Sequence, residues 1–129
     1  MGIQIQPPGG LAQLVPQSSS TGEGQATAPA AGAAIATNTP ATANLFQLTV
    51  TIQLTGTITA ADVNNFQLQN NGTPVTTLPL ATVAGGGPVT ETYTLNVRRA
   101  AGSFTVNAIG AGGVAAVYTA LIIATEVAP

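Results

Sequence analysis

The sequence predicts an all-β fold: an antiparallel β-sandwich of about seven to eight strands, immunoglobulin-like or jelly-roll-like, behind an extended N-terminal arm. Three observations predict it. Apolar residues recur at every second position, the period of a strand, and nowhere at helical spacing. Gly, Asn and Pro clusters interrupt these runs at short intervals, as turns between short strands do. Threonine is the main polar partner within the runs, and its branched Cβ favours extended backbone even on the solvated face.

Residues 1–32 read as the arm and 33–129 as the sandwich. Pro7, Pro8, Pro16 and Pro29 deny the arm helix and ladder hydrogen bonds. Gly9, Gly10, Gly22, Gly24 and Gly32 add backbone freedom. The stretch PQSSSTGEGQATAPAAGA, from Pro16 to Ala33, has linker composition. Ahead of it lie two apolar groups: Ile3 and Ile5 alternate with glutamines, and Leu11, Leu14 and Val15 follow the glycines. A tail that touches nothing has no use for such anchors, so these five are the candidate contacts with a neighbouring subunit. Fully extended, such an arm reaches roughly 100 Å.

The clearest strand is NLFQLTVTIQLTGT. Phe46, Leu48, Val50, Ile52 and Leu54 share one face, with Gln47, Thr49, Thr51, Gln53 and Thr55 on the other. Thr59-Ala60-Ala61-Asp62 then reads as a short helical turn with a capping pair. Phe66 and Leu68 alternate with Gln67 and Gln69, and Val75 and Thr77 alternate after Asn71-Gly72, the strongest short hairpin signal. Asn71-Gly72-Thr73 is also a glycosylation sequon, but with no secretion signal the turn reading takes precedence. After the loop AGGGP, the run PVTETYTLNV points Val89, Tyr93, Leu95 and Val97 inward. Glu91 shares their parity, which places it near a strand end or an open edge. SFTVNAIG adds Phe104, Val106 and Ala108, and GAGG turns the chain. VAAVYTALIIATEV is apolar on both faces, which predicts a central strand or one covered by a partner.

Charge then bounds function. Six side chains are formally charged, Glu23, Asp62, Glu91, Arg98, Arg99 and Glu126, and His, Cys, Lys and Trp are absent. Charged residues make up 5% of the chain, against about 25% in ordinary soluble domains. Catalysis needs a positioned base, an activated nucleophile or a metal cage, and none is visible. No two carboxylates are close in sequence, as a glycosidase pair would require after folding. Asp62-Val63-Asn64-Asn65 lacks the carboxylates and closing Glu of a calcium loop. Gly85-Gly86-Gly87 lacks the Lys and helix of a phosphate loop. Ser18-Ser19-Ser20 has no base nearby and belongs to the linker. The chain is therefore expected to be no enzyme and to hold no cofactor or metal.

Two arginines without lysine argue against nucleic acid, which demands a basic field. Arg98-Arg99 reads as a solvated doublet at a strand end. No apolar run is long enough to span a bilayer. MGIQIQPPGGLAQLVPQ lacks a signal-peptide pattern, and Gln6 stands where a myristoylation signal wants Ser or Thr. Synthesis in a cytoplasm is the expectation. A surface this poor in ions is easily desolvated, which suits burial against other protein. The five aromatics, Phe46, Phe66, Tyr93, Phe104 and Tyr118, lie at inward parity or in the last strand. They are expected in the core, not on a sugar-binding platform.

From Ala34 to Val127 the chain resembles a small β-sandwich recurrent in tailed bacteriophages, especially those of actinobacterial hosts. The residues that carry the resemblance are FQLTVTIQLTGT, AADVNNFQLQNNGTPV and GAGGVAAVYTALIIATEV; the arm is not covered. Proteins of this kind are head decoration or minor capsid proteins, or modules on other virion parts. The resemblance implies a capsid decoration (cement) protein on the outer surface of the virion head, made in the host bacterial cytoplasm. Its partners would be the major capsid protein and copies of itself, in a homo-oligomer such as a trimer, with no nucleic acid and no membrane. A tail or fibre module that binds host cell-wall glycan is the alternative.

Overall fold

Alternation decides which residues form strands here, and the computed structural model follows it closely. It describes residues 19–27, 29–42, 45–56, 65–80, 88–99, 102–109 and 116–128. Eight strands run in order: β1 (Ser19–Thr27), β2 (Ala34–Asn38), β3 (Leu45–Gly56), β4 (Asn65–Asn70), β5 (Thr73–Pro79), β6 (Val89–Arg98), β7 (Phe104–Ala108) and β8 (Ala116–Ala128). The described residues contain no helix. Two four-stranded sheets result, one ordered β1-β8-β3-β6 and the other β2-β7-β4-β5. Every described pairing is antiparallel. Apart from the β4–β5 hairpin, each connection crosses between sheets, and this order is that of a jelly roll. The topology thus selects jelly-roll over immunoglobulin-like.

β3 alternates as its sequence predicts: Phe46, Leu48, Val50, Ile52 and Leu54 are buried between the sheets. β8 is central, flanked by β1 and β3. Its core face is Ala116, Tyr118, Ala120, Ile122 and Ala124. β4 and β7 contribute Phe66, Leu68, Phe104, Val106 and Ala108 from the opposite sheet. Two edge-to-face ring pairs join the layers. Phe46 and Phe104 have centroids 6.1 Å apart, and Phe66 and Tyr118 5.8 Å. Such contacts add about 0.5–1.5 kcal/mol each beyond area burial. The β4–β5 turn is Asn71-Gly72, both with positive φ (52° and 80°), the type I′ geometry that matches strand twist. The Asn71 amide also donates to Ser103 O.

Composition misleads over residues 19–27. Pro16–Ala33 reads as linker, yet Ser19–Thr27 is a regular strand paired with β8 from Ser19↔Thr125 to Thr27↔Val117. Ser19 and Ser20 are therefore strand residues. The reason is steric. β1 lies against β2 of the other sheet so tightly that a Cβ at Gly22 would stand 2.0 Å from Thr37 O, and one at Gly24 1.9 Å from Ile35 O. The glycines permit contact between backbones; they do not serve flexibility. In β2 the register shifts between Ala34 and Ala36, so that Ile35 and Ala36 are both buried. Asn38, at the end of β2, is buried and reaches across the layers. Its Nδ2 donates to Ser20 O (3.0 Å) and Ile122 O (2.8 Å), while its Oδ1 accepts from Ser20 Oγ (2.8 Å).

Several expectations lie outside the described residues: the anchors Ile3, Ile5, Leu11, Leu14 and Val15; the turn Thr59-Ala60-Ala61-Asp62; and the loops containing Gly85–Gly87 and Gly110–Gly113.

Candidate functional site

Strand parity sorts the surface into two faces, two sides and one described end. The outer face of the β1-β8-β3-β6 sheet is built in cross-strand rows. One row is Thr21–Ile123–Thr49–Thr94, the next Glu23–Leu121–Thr51–Thr92, and the next Gln25–Thr119–Gln53–Thr90. Neighbouring side chains bond along the rows: Thr51 Oγ1 and Thr92 Oγ1 are 3.2 Å apart, and Gln53 Nε2 donates to Thr90 Oγ1 at 3.3 Å. Leu121 and Ile123, and Val117 beyond Thr119, are the half-buried apolar residues along its middle. Charge is confined to the margins of this face: Glu23 on edge strand β1 and Arg98 at the last residue of edge strand β6. The central strands β8 and β3 place none among their outward residues from Thr119 to Thr125 and from Leu45 to Thr55.

The outer face of the second sheet carries Thr37, Thr105, Asn107, Gln67, Gln69 and Thr77, all uncharged. Gln69 Nε2 donates to Gln67 Oε1 at 2.8 Å, so these amides partly satisfy one another.

Ionic groups instead gather at one end. There the segment 39–42, the Asn71-Gly72 turn and the segment around Gly102 meet the start of β1 and the finish of β8. Arg99 is half-buried. Its Nε donates to Gly102 O (2.8 Å) and its Nη1 to Thr42 O (2.7 Å). Thr42 Oγ1 donates in turn to Glu126 Oε2 (2.7 Å). Thr39 Oγ1 and Ser103 Oγ approach to 2.5 Å, and Asn70 Nδ2 donates to Arg98 O (2.9 Å). Only Arg98 of the expected solvated doublet is exposed; the Arg99 guanidinium fastens two loop carbonyls and positions the end of the sandwich. Ser19, the first residue of β1, lies at this end.

The two sides differ. On one, β1 and β2 close against each other through Gly22, Gly24 and Asn38. On the other lie β5 and β6, bridged by a hydrogen bond from the Tyr93 hydroxyl to Pro79 O. Burial, and secondarily the Glu91 carboxylate, push the Tyr93 phenol above its ordinary value. Glu91 sits exposed on edge strand β6, where its inward parity can be tolerated. Val89, Tyr93 and Leu95 are half-buried on that strand and pack against the core.

Glu23, Glu91 and Glu126 lie on three different strands, and Glu23 and Glu91 occupy opposite edges of their sheet. Among the described residues no three acidic groups come together as a metal cage requires, and no helix is long and apolar enough to cross a membrane. Phe46, Phe66, Phe104 and Tyr118 are fully buried, leaving Tyr93 as the one partly exposed aromatic of the five. No protein-family model matches the chain, and no curated protein matches it.

Proposed function

We propose that the chain is a structural virion protein, a capsid decoration (cement) protein that binds the outer surface of the major capsid protein lattice and stabilises the head. One observation carries the reading: a four-stranded face whose centre is Thr, Gln and half-buried apolar residues, with charge only at its margin. Interface centres are depleted in charge for the same reason. Removing such a face from water strips no ions. The fold is compatible, since double-sheet jelly rolls recur in viral capsid and lectin domains, although a fold alone assigns no function. The alternative, a tail or fibre module for host cell-wall glycan, fits less well. Sugar platforms expose aromatic rings, and four of the five rings here are core.

Retention on a shell works by multiplicity. Many weak contacts per particle add through effective concentration, so no single contact need be strong. Ile3, Ile5, Leu11, Leu14 and Val15 would extend each copy's hold onto neighbouring subunits.

The test is co-sedimentation of the purified chain with undecorated heads, together with a copy count and location from electron micrographs. The reading predicts a fixed number of copies on the outer lattice. Thr51→Lys, which puts a cation at the centre of the face in every copy, should weaken binding at unchanged fold. Deleting residues 1–15 should weaken retention while the sandwich stays folded. Absence from particles, or saturable binding to cell-wall glycan without binding to heads, would overturn it.

A further inference from the structure

We infer that β6 is an acceptor edge, and that its occupant is the Ile3–Gln6 segment of a second copy, added as a fifth antiparallel strand to the β1-β8-β3-β6 sheet. The inference does not depend on a virion role and is decided with the purified chain alone.

Native sheets guard their edges with proline, lysine, bulges, inward charge or a covering element. Three of the four edges here are guarded. β1 and β2 seal each other through the glycine contacts and Asn38. β5 carries Pro74 and Pro79, and its pairing with β4 is interrupted by a register shift at Leu68/Gln69. β6 pairs with β3 in unbroken register from Val89 to Arg98, and no strand lies beyond it among the described residues. The sequence VTETYTLNVR has neither proline nor lysine. Its one inward charge, Glu91, guards only the first half. From Thr92 to Val97 every inward side chain is apolar or aromatic, and Tyr93 and Leu95 remain half-buried. They are side chains with one flank uncovered.

The chain carries a matching strand. Ile3-Gln4-Ile5-Gln6 alternates with period two. Antiparallel to β6, it sets Ile3 and Ile5 beside Leu95 and Tyr93, past the reach of Glu91. Gln4 and Gln6 then join Thr94 and Thr92 on a face already made of Thr and Gln. Backbone pairing supplies affinity and the alternating side chains supply register, as in other strand additions.

Direction selects the second copy. β1 starts at the same end at which β6 finishes, three strand positions away. A segment antiparallel to β6 runs away from that end. To return to its own Ser19 the chain would have to reverse within a few residues of Gln6. Pro7 and Pro8 stand there, and each proline disfavours the helical region for the residue before it, which biases Gln6 and Pro7 to extended backbone. The prolines instead carry the chain onward. Residues 7–18 can span about 40 Å, enough to link two sandwiches side by side. Exchanging identical segments between copies is a low-cost route to association.

The chain has no cysteine, so a designed cross-link is unambiguous. In the double variant Ile3→Cys and Leu95→Cys, oxidation should give covalent dimers and higher species on a non-reducing gel. A monomer with both thiols consumed would mean pairing within one chain and would overturn the assignment to a second copy; no cross-link at all would overturn the edge. In sedimentation velocity the unmodified chain should self-associate. Ile3→Asp with Ile5→Asp, which alters residues ahead of β1, should weaken association at least about tenfold, or 1.4 kcal/mol. A parent chain monomeric at every concentration, or association indifferent to these aspartates, would sink the proposal.

Discussion

The two long sides of the sandwich solve opposite problems. Where β1 meets β2, the residues are Gly22, Gly24 and Asn38, and the sheets touch backbone to backbone. Where β5 meets β6, the residues are Val89, Tyr93 and Leu95, half-buried, with one tyrosine hydroxyl spanning the gap. The first side has little slack: the glycine contacts are between backbone atoms that cannot rotate away, and the Asn38 amide is held by three hydrogen bonds. The second is held by side chains that can adapt. The lesson is that a domain nearly without ions can place rigidity and adhesiveness on separate edges of one core. It needs no charge to do so, because glycine and buried amide close one side while alternation leaves the other open.

The largest break should come at Gly24. In Gly24→Val, the Cβ falls 1.9 Å from a carbonyl oxygen, and neither strand can move without losing its ladder. Overpacking ordinarily costs about 1–3 kcal/mol; here the expected loss exceeds that, read as failure to fold or as a collapsed urea midpoint. Asn38→Ala comes next. It deletes three hydrogen bonds, to Ser20 O, Ile122 O and Ser20 Oγ, and at about 0.5–1.5 kcal/mol net for each the expected cost is about 2–4 kcal/mol in urea unfolding. The equivalent test on the open side is gentler. Tyr93→Phe removes the bond to Pro79 O at a partly exposed site, for about 0.5–1 kcal/mol. If Tyr93→Phe proved costlier than Asn38→Ala, the contrast between the sides would be reversed.

Alkaline pH sharpens the contrast further. Because folding raises the Tyr93 phenol above its ordinary value near 10, the neutral form is favoured in the fold. Its contribution is complete below that value and is lost as pH rises through the folded one. Stability should therefore decline from about pH 10 upward by a small step that Tyr93→Phe lacks. Smallest of all is Thr51→Val on the outer face, expected within about 0.5 kcal/mol of the parent, since both members of the Thr51–Thr92 pair stand at the surface.

The alternating runs were legible because period two leaves a mark on every residue. β3 and the Asn71-Gly72 hairpin can be read directly; for β8 the pattern leaves a central or a covered strand and for Glu91 a strand end or an open edge, and strand order makes β8 central and β6 an edge. β1 was hidden because its inward face is Ser20, Gly22, Gly24 and Ala26, small residues whose role is to be thin. Composition scores them as linker, yet Gly22 and Gly24 already alternate with Thr21, Glu23 and Gln25. Asn38 left no local sign, since its partners are 18 and 84 residues away. The Arg99 clamp was hidden for the same reason: Thr42 is 57 residues off. Long-range polar bonds obey no sequence period. The candidate surface was legible in part, as a polar, ion-poor face of alternating Thr and Gln. The confinement of charge to its margin emerges only once strand order is known.

Amide hydrogen exchange along the full-length chain, at low and at high protein concentration, tests the contrast most directly. The account predicts that β1 and β2 are protected equally at both, while alternate amides of β6 between Thr92 and Val97 exchange fast when dilute and slow when concentrated. Concentration-independent exchange in β6, or protection gained along β1 instead, would contradict it.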